Sequence, residues 1–186
     1  MPKVKEVVVA GQDLAKTRDY SAYVSLIVDT EERAVKIKRI FQWPHVDYTL
    51  VQRDTLEFCR LDSVRVLGVD QGKAGEPVIE NYLSKKINTK GISFTAQRKN
   101  DMINFTRALL QGALNKSPPY LFLPQSGRFV EELKTQMKEQ ERIVTANAYP
   151  KYDSPRGAHD DLLWSLSIAL YVSRPYIEGR KSRVPE

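Results

Sequence analysis

The stretch VVVAGQDLAKTRDYSAYVSLIVDT, Val7 to Thr30, decides the fold. Its four apolar residues Val7–Ala10 read as a buried strand, which then meets Gly11 and, two positions later, the carboxylate Asp13. A second strand, Tyr20–Asp29, alternates Tyr23, Ser25 and Ile27 with Val24, Leu26 and Val28. A third, Arg33–Gln42, alternates Val35, Ile37, Arg39 and Phe41 with Lys36, Lys38 and Ile40, after a tight turn at Glu31–Glu32. Three strands with short links make an antiparallel meander starting at Val4–Gly11.

Beyond the meander the period changes. Asp47–Arg60 has helical spacing at Leu50, Val51, Leu56 and Cys59, and Val64–Val69 is a short apolar run suited to a strand covered on both faces. Helices are expected over Pro77–Lys86, Lys99–Asn115, Arg128–Glu139 and His159–Val172, with strands at Ile92–Thr95, Tyr120–Leu123 and Ile143–Asn147. Three antiparallel strands followed by alternating helices and strands predict an α/β, ribonuclease H-like fold. Its mixed sheet would have five or more strands and helices on both faces. One domain over residues 1–173 and a basic, flexible tail over 174–186 account for the whole chain.

Composition narrows the chemistry. The 41% hydrophobic and 28% charged fractions are those of a globular domain. No apolar run approaches the about 20 residues that span a bilayer, and no signal peptide opens the chain. A single cysteine, Cys59, excludes an internal disulfide and thiolate-pair metal sites, and fits a reducing compartment. The net charge of +6 points to a polyanion, although many basic proteins bind none.

The carboxylates carry the functional reading. Asp70 ends VRVLGV as Asp13 ends its own strand, and the first and fourth strands of such a sheet can lie side by side and parallel. In GAHDDLLWSLSIAL, Asp160 and Asp161 open the last helix, where the dipole favours an acid. Each has a plain structural reading as well: Asp13 and Asp70 as turn acids, Asp160 as an N-cap and Asp161 as a first-turn acid. Together they make a cluster that repels itself unless cations neutralise it. Hard oxygen ligands suit Mg²⁺ or Mn²⁺, and two such ions hydrolyse phosphodiesters.

These residues lie in stretches that resemble one family. AGQDLAKTRDYSAYVSL, LGVDQGKAGEPVIENYL, QRKNDMINFTRALLQGAL with YLFLP, and SPRGAHDDLLWSLSIAL resemble, in that order, the C-terminal nuclease domain of the large terminase, the DNA-packaging motor of tailed bacteriophages. The resemblance implies a two-metal endonuclease that cuts concatemeric viral DNA when packaging starts and ends. It implies Asp13, Asp70 and Asp161 as metal ligands, Asp160 as a competitor or bridging ligand, and His159 as a neighbour of the metals or a proton handler. Where the family often has a further acid, this chain has Trp164.

Lys99 matches a basic residue that precedes the family's long helix. Lys16, Arg18, Lys73, Arg128, Lys151 and Arg156 are the other candidates for phosphate contact, each with an ordinary surface-charge alternative. The implied partners are double-stranded DNA and, in the full system, an ATPase motor, a small terminase subunit and the portal, with no membrane. The setting is the cytoplasm of the infected host cell. The motor's GxxxxGK[ST] loop does not occur, since GKAGEP (Gly72–Pro77) has glycine and lysine in the wrong order. Competing readings are a Holliday junction resolvase, a sugar-kinase or actin-like ATPase, and a non-catalytic DNA-binding module.

Overall fold

A computed structural model of the chain describes residues 5–14, 20–44, 47–72, 75–143, 150–153 and 159–179. Six strands form one mixed sheet: β1 (Glu6–Asp13), β2 (Tyr20–Asp29), β3 (Ala34–Pro44), β4 (Val66–Asp70), β5 (Thr89–Ile92) and β6 (Tyr120–Phe122), in the order β5-β4-β1-β2-β3-β6. β1, β2 and β3 are the antiparallel meander, while β4 lies parallel to β1 and β5 parallel to β4. The turn between β2 and β3 is closed by Asp29, whose Oδ1 accepts the Glu31 and Glu32 amides at 3.0 and 2.9 Å.

Two helices, α1 (Tyr48–Leu61) and α2 (Gly75–Ser84), cover one face. Their Val51, Cys59, Val78 and Tyr82 pack on Ala10, Leu14, Tyr23, Trp43, Leu67 and Val69. The other face carries α3 (Ala96–Asn115), α4 (Arg128–Glu139) and α5 (Asp161–Ile177) against Val7, Val9, Val24, Leu26, Val28 and Val66. α5 is buried all round, from Leu162 to Leu170, as a helix wedged between a sheet and two other helices must be. Its orphan amide at Leu163 is satisfied by Gln136 of α4, whose Oε1 accepts at 3.1 Å. Among the described residues no helix is long and apolar enough to cross a membrane.

Several expected boundaries shift. The alternation expected along β3 breaks at a bulge: Ser25 pairs with Arg39 but Leu26 with Ile37, leaving Lys38 extra. One extra residue reverses the side-chain parity. Ile40 therefore joins Val35 and Ile37 on the α5 side, while Arg39, Phe41 and Trp43 face α1. The strand expected at Ile92–Thr95 runs earlier, at Thr89–Ile92, because Thr95 is the N-cap of α3 and accepts the Arg98 amide at 3.2 Å.

The strand expected at Ile143–Asn147 is instead β7 (Glu141–Ile143), paired with β8 (Lys151–Asp153) in a separate ribbon. Residues 144–149 lie outside the described residues. α5 runs past Val172 and through Pro175 to Ile177, so residues 174–177 are its last turn and not tail.

Candidate metal centre

Strand alternation places the acids. On β1, Val7, Val9, Gly11 and Asp13 share the α5 face, and on β4, Val66, Gly68 and Asp70 do the same. Gly11 and Gly68 are partners in the parallel register, so Asp13 and Asp70, each two residues on, end adjacent strands on one face.

α5 lies directly on the glycines. A Cβ at Gly11 would meet the Ser165 carbonyl at 2.2 Å, and one at Gly68 would meet Ile168 Cγ2 at 2.6 Å. Ser165 also accepts the Asp13 amide on its Oγ at 3.0 Å, which pins the end of β1 to the helix. Asp161 is one turn before Ser165, at the helix N-terminus, and is buried at 6% exposure.

The electrostatics follow from that packing. Burial raises the Asp13 carboxyl well above its ordinary range, and the neighbouring carboxylates of Asp161, Asp70 and Asp160 raise it further, in that order. Lys99, in the first turn of α3, pulls the other way. Four carboxyls and one cation thus act on each other in one place. Asp161 acts on Asp13 more strongly than Asp160 does, and Asp160 has another partner. Its Oδ2 accepts the Trp164 indole N–H at 2.8 Å.

The departure at Trp164 is therefore structural. The ring anchors Asp160 and supports Lys99, whose Nζ lies 4.5 Å from the Trp164 ring centroid and 5.1 Å from that of Phe94. His159 stands with Nδ1 3.9 Å from Asp161 Oδ2 and its ring edge-on to Tyr20, centroids 4.6 Å apart. Asp70 also has a turn role: its Oδ1 accepts the Gly72 amide at 3.1 Å.

The donor set is all hard oxygen, which fits a divalent cation of the Mg²⁺ or Mn²⁺ kind. Among the described residues, no three acid, histidine or cysteine side chains are gathered closely enough to hold an ion. The carboxylates share one face and one field without closing on a common point. Cys59 is no rival nucleophile, being buried on the opposite face with its thiol pushed up to about 12 by that burial.

Of the candidate phosphate contacts, the fold brings only Lys99 into this group among the described side chains. Arg128 is exposed at the start of α4, its guanidinium over Phe129, which packs on Phe41. Lys151 lies in β8, and Lys16, Arg18, Lys73 and Arg156 lie outside the described residues. Sequence reasoning missed Ser165, Tyr20 and Phe94. A serine in the helix at one-turn spacing from Asp161 was the one available signal.

By sequence, the chain matches no protein-family model and no curated protein. By fold it is similar to the large terminase nuclease of thermophilic phage G20c, with a TM-score of 0.69 and 17% identity over 92% of this chain and 83% of that one. The nuclease domain of the Thermus phage P74-26 large terminase gives 0.68 and 17% over 95% and 82%. That of the large terminase subunit of bacterial virus Sf6 gives 0.69 and 15% over 90% and 89%. The fold is ribonuclease H-like, that of large terminase nuclease domains. Structures of the G20c nuclease contain magnesium or cobalt, and one of a mutant Sf6 domain contains manganese. In the ribonuclease H-like sheet of this chain, Asp13, Asp70 and Asp161 lie at the junction of β1, β4 and α5.

Proposed function

We propose that the chain is a divalent-metal-dependent endonuclease that cuts double-stranded viral DNA at the start and end of genome packaging. One observation carries the reading. The paired Gly11 and Gly68 bring α5 onto the sheet, and two residues beyond them Asp13 and Asp70 flank the helix end that bears Asp161. A fold has no structural need for so many acids in one place. Their mutual repulsion, felt by Asp13, destabilises the protein unless a cation offsets it.

Asp13, Asp70 and Asp161 would hold the metal, with Asp160 beside them. Bound there, two such ions supply an activated water and charge stabilisation at the leaving oxygen. The protein's own part is placement. Ser165 fixes the end of β1, the Asx turn at Gly72 fixes Asp70, and Trp164 fixes Asp160. Lys99, held over Trp164 and Phe94, presents a cation to a phosphate entering beside the carboxylates. His159, with Nδ1 3.9 Å from Asp161 Oδ2, would be a neighbour of the metals or a proton handler there. The metals in use, Mg²⁺ or Mn²⁺, and the packaging partners (an ATPase motor, a small terminase subunit and a portal, in the host cytoplasm) belong to the same proposal.

Plasmid cleavage tests it. Wild-type protein with Mg²⁺ or Mn²⁺ should nick and linearise supercoiled DNA, EDTA should stop it, and Asp70→Ala should be inactive. Folded wild-type protein that cuts nothing with either metal, or an Asp70→Ala variant as active as wild type, would end the nuclease reading.

A further inference from the structure

Arg98 and Lys99 are neighbours in the first turn of α3 that serve different places. Lys99 belongs to the carboxylates. Arg98 donates from Nη1 to the Ser93 carbonyl at 3.2 Å, and its guanidinium lies 5.9 Å from the Tyr171 ring centroid. A second guanidinium, that of Arg174, lies 5.1 Å from the same ring and 4.4 Å from that of Phe105.

Tyr171 and Arg174 line a cleft of about 370 Å³ between the β5 edge and the end of α5, together with Lys90, Ile92, Pro175 and Glu178. It starts beside the candidate metal centre. Ile92 is the register partner of Asp70, and Ser93 Oγ donates to Gln71 Oε1 at 3.2 Å.

Two cations, Lys90 and Arg174, line the cleft with one carboxylate, Glu178, and a third, Arg98, stands next to its Tyr171 wall. Lys90 is exposed on an edge strand, open to a partner. Arg174 donates from Nη2 to the Asp101 carbonyl at 3.0 Å, yet its Nε–H is buried with no acceptor among the described residues. Guanidinium groups laid on aromatic rings, with a lysine along an open groove, are the surface on which a nucleic-acid backbone binds without regard to sequence.

We propose that this cleft carries the phosphate backbone of the DNA flank leading away from the carboxylates, beyond the phosphate that is cut. The inference rests on the nuclease reading and adds a binding track on the β5 side that does no chemistry.

The test is duplex binding by fluorescence anisotropy in EDTA over a salt series, using mixed-sequence DNA and the full chain. The double variant Lys90→Glu/Arg98→Gln should bind about tenfold more weakly, with a salt slope lower by about two, as the loss of two phosphate contacts requires. Lys138→Glu, an exposed charge change on α4, should stay near wild type. Metal-dependent cleavage by the double variant should show a raised KM with little change in kcat.

Unchanged affinity and slope in a folded double variant overturn the track, as does an equal loss in Lys138→Glu. If wild type still cuts DNA in either case, the nuclease reading survives and only this inference fails. If wild type neither binds nor cuts, both fail. Lys90→Glu alone, on an exposed edge, serves if the double variant proves unstable: about half the slope change supports the track, and none overturns it.

Discussion

Gly11 of β1 and Gly68 of β4 are direct partners in the parallel register, and α5 rests on both. That contact sets the distance between sheet and helix, and with it the spacing of the acids two residues further on. The candidate site is built on this pair of missing side chains.

Filling the two positions should have unequal effects. At Gly11 an added Cβ meets the backbone of Ser165 and Ala169 at 2.2 and 2.4 Å, which only a shift of the helix can relieve. At Gly68 it meets the side-chain methyls of Ile168 and Val172 at 2.6 and 2.9 Å, which a small displacement of two side chains relieves without moving the helix backbone as far. Gly11→Ala should lose about 3 kcal/mol or more, and Gly68→Ala about 1–2 kcal/mol, in urea unfolding. Equal losses would mean that α5 does not bear on Gly11 as described.

Asp13 has a raised folded pKa, so its ionised form destabilises the native state. As pH falls through that raised value, the native protein takes up a proton that the unfolded chain does not, and stability rises. Below the ordinary aspartate range both states are protonated and the contribution is constant. In EDTA, Asp13→Asn should raise the Tm at pH values above that raised pKa, and the gain should shrink as the pH is lowered through it. A Tm lowered by the substitution across the whole pH series would contradict the repulsive cluster.

Asp161 is the buried neighbour that acts most on Asp13, whereas Asp160 is engaged by Trp164. Asp161→Asn should therefore reduce metal-dependent cleavage about 100-fold or more, and Asp160→Asn about tenfold. Trp164→Phe keeps a ring beneath Lys99 but loses the indole N–H, so it should resemble Asp160→Asn. Trp164→Ala, at a position 2% exposed, should also cost about 3–5 kcal/mol of stability. Rate measurements with matched unfolding curves separate the two effects.

A second buried acid is purely structural. Asp62 is 2% exposed and accepts from Arg39 Nε and Nη2 at 2.9 Å each and from Ser25 Oγ at 2.8 Å. Burial pushes its carboxyl up, but the Arg39 and Ser25 hydrogen bonds outweigh burial and hold it below the usual range. Its contribution is therefore present at neutral pH and is lost as pH falls below the ordinary aspartate range. Arg39→Met should cost about 3 kcal/mol or more at neutral pH and less in acid, without affecting metal binding.

Much of this was legible in the residues. The apolar run ending at Gly11, the similar run before Asp70, and the apolar helix led by Asp160 and Asp161 predict the parallel pairing of the first and fourth strands, with an acid at the end of each and two at the start of the last helix. Three things were hidden for physical reasons. The bulge at Lys38 depends on pairing with β2, so the local alternation Val35, Ile37, Arg39, Phe41 gives no sign of it. Asp62 drew no notice in the sequence because its partners Ser25 and Arg39 come from distant strands. The choice between Asp160 and Asp161 turns on the direction of one indole N–H, which no spacing encodes.

The central claim is that carboxylates from β1, β4 and α5 form one cation site. Calorimetric titration of Mn²⁺ into wild type and into Asp13→Asn, Asp70→Ala, Asp161→Asn and the surface variant Lys90→Glu tests it most directly. The account predicts binding by wild type and Lys90→Glu, and binding lost or greatly weakened in each of the three carboxylate variants. Binding that survives in all three, or a folded wild-type protein that takes up no Mn²⁺, would contradict it.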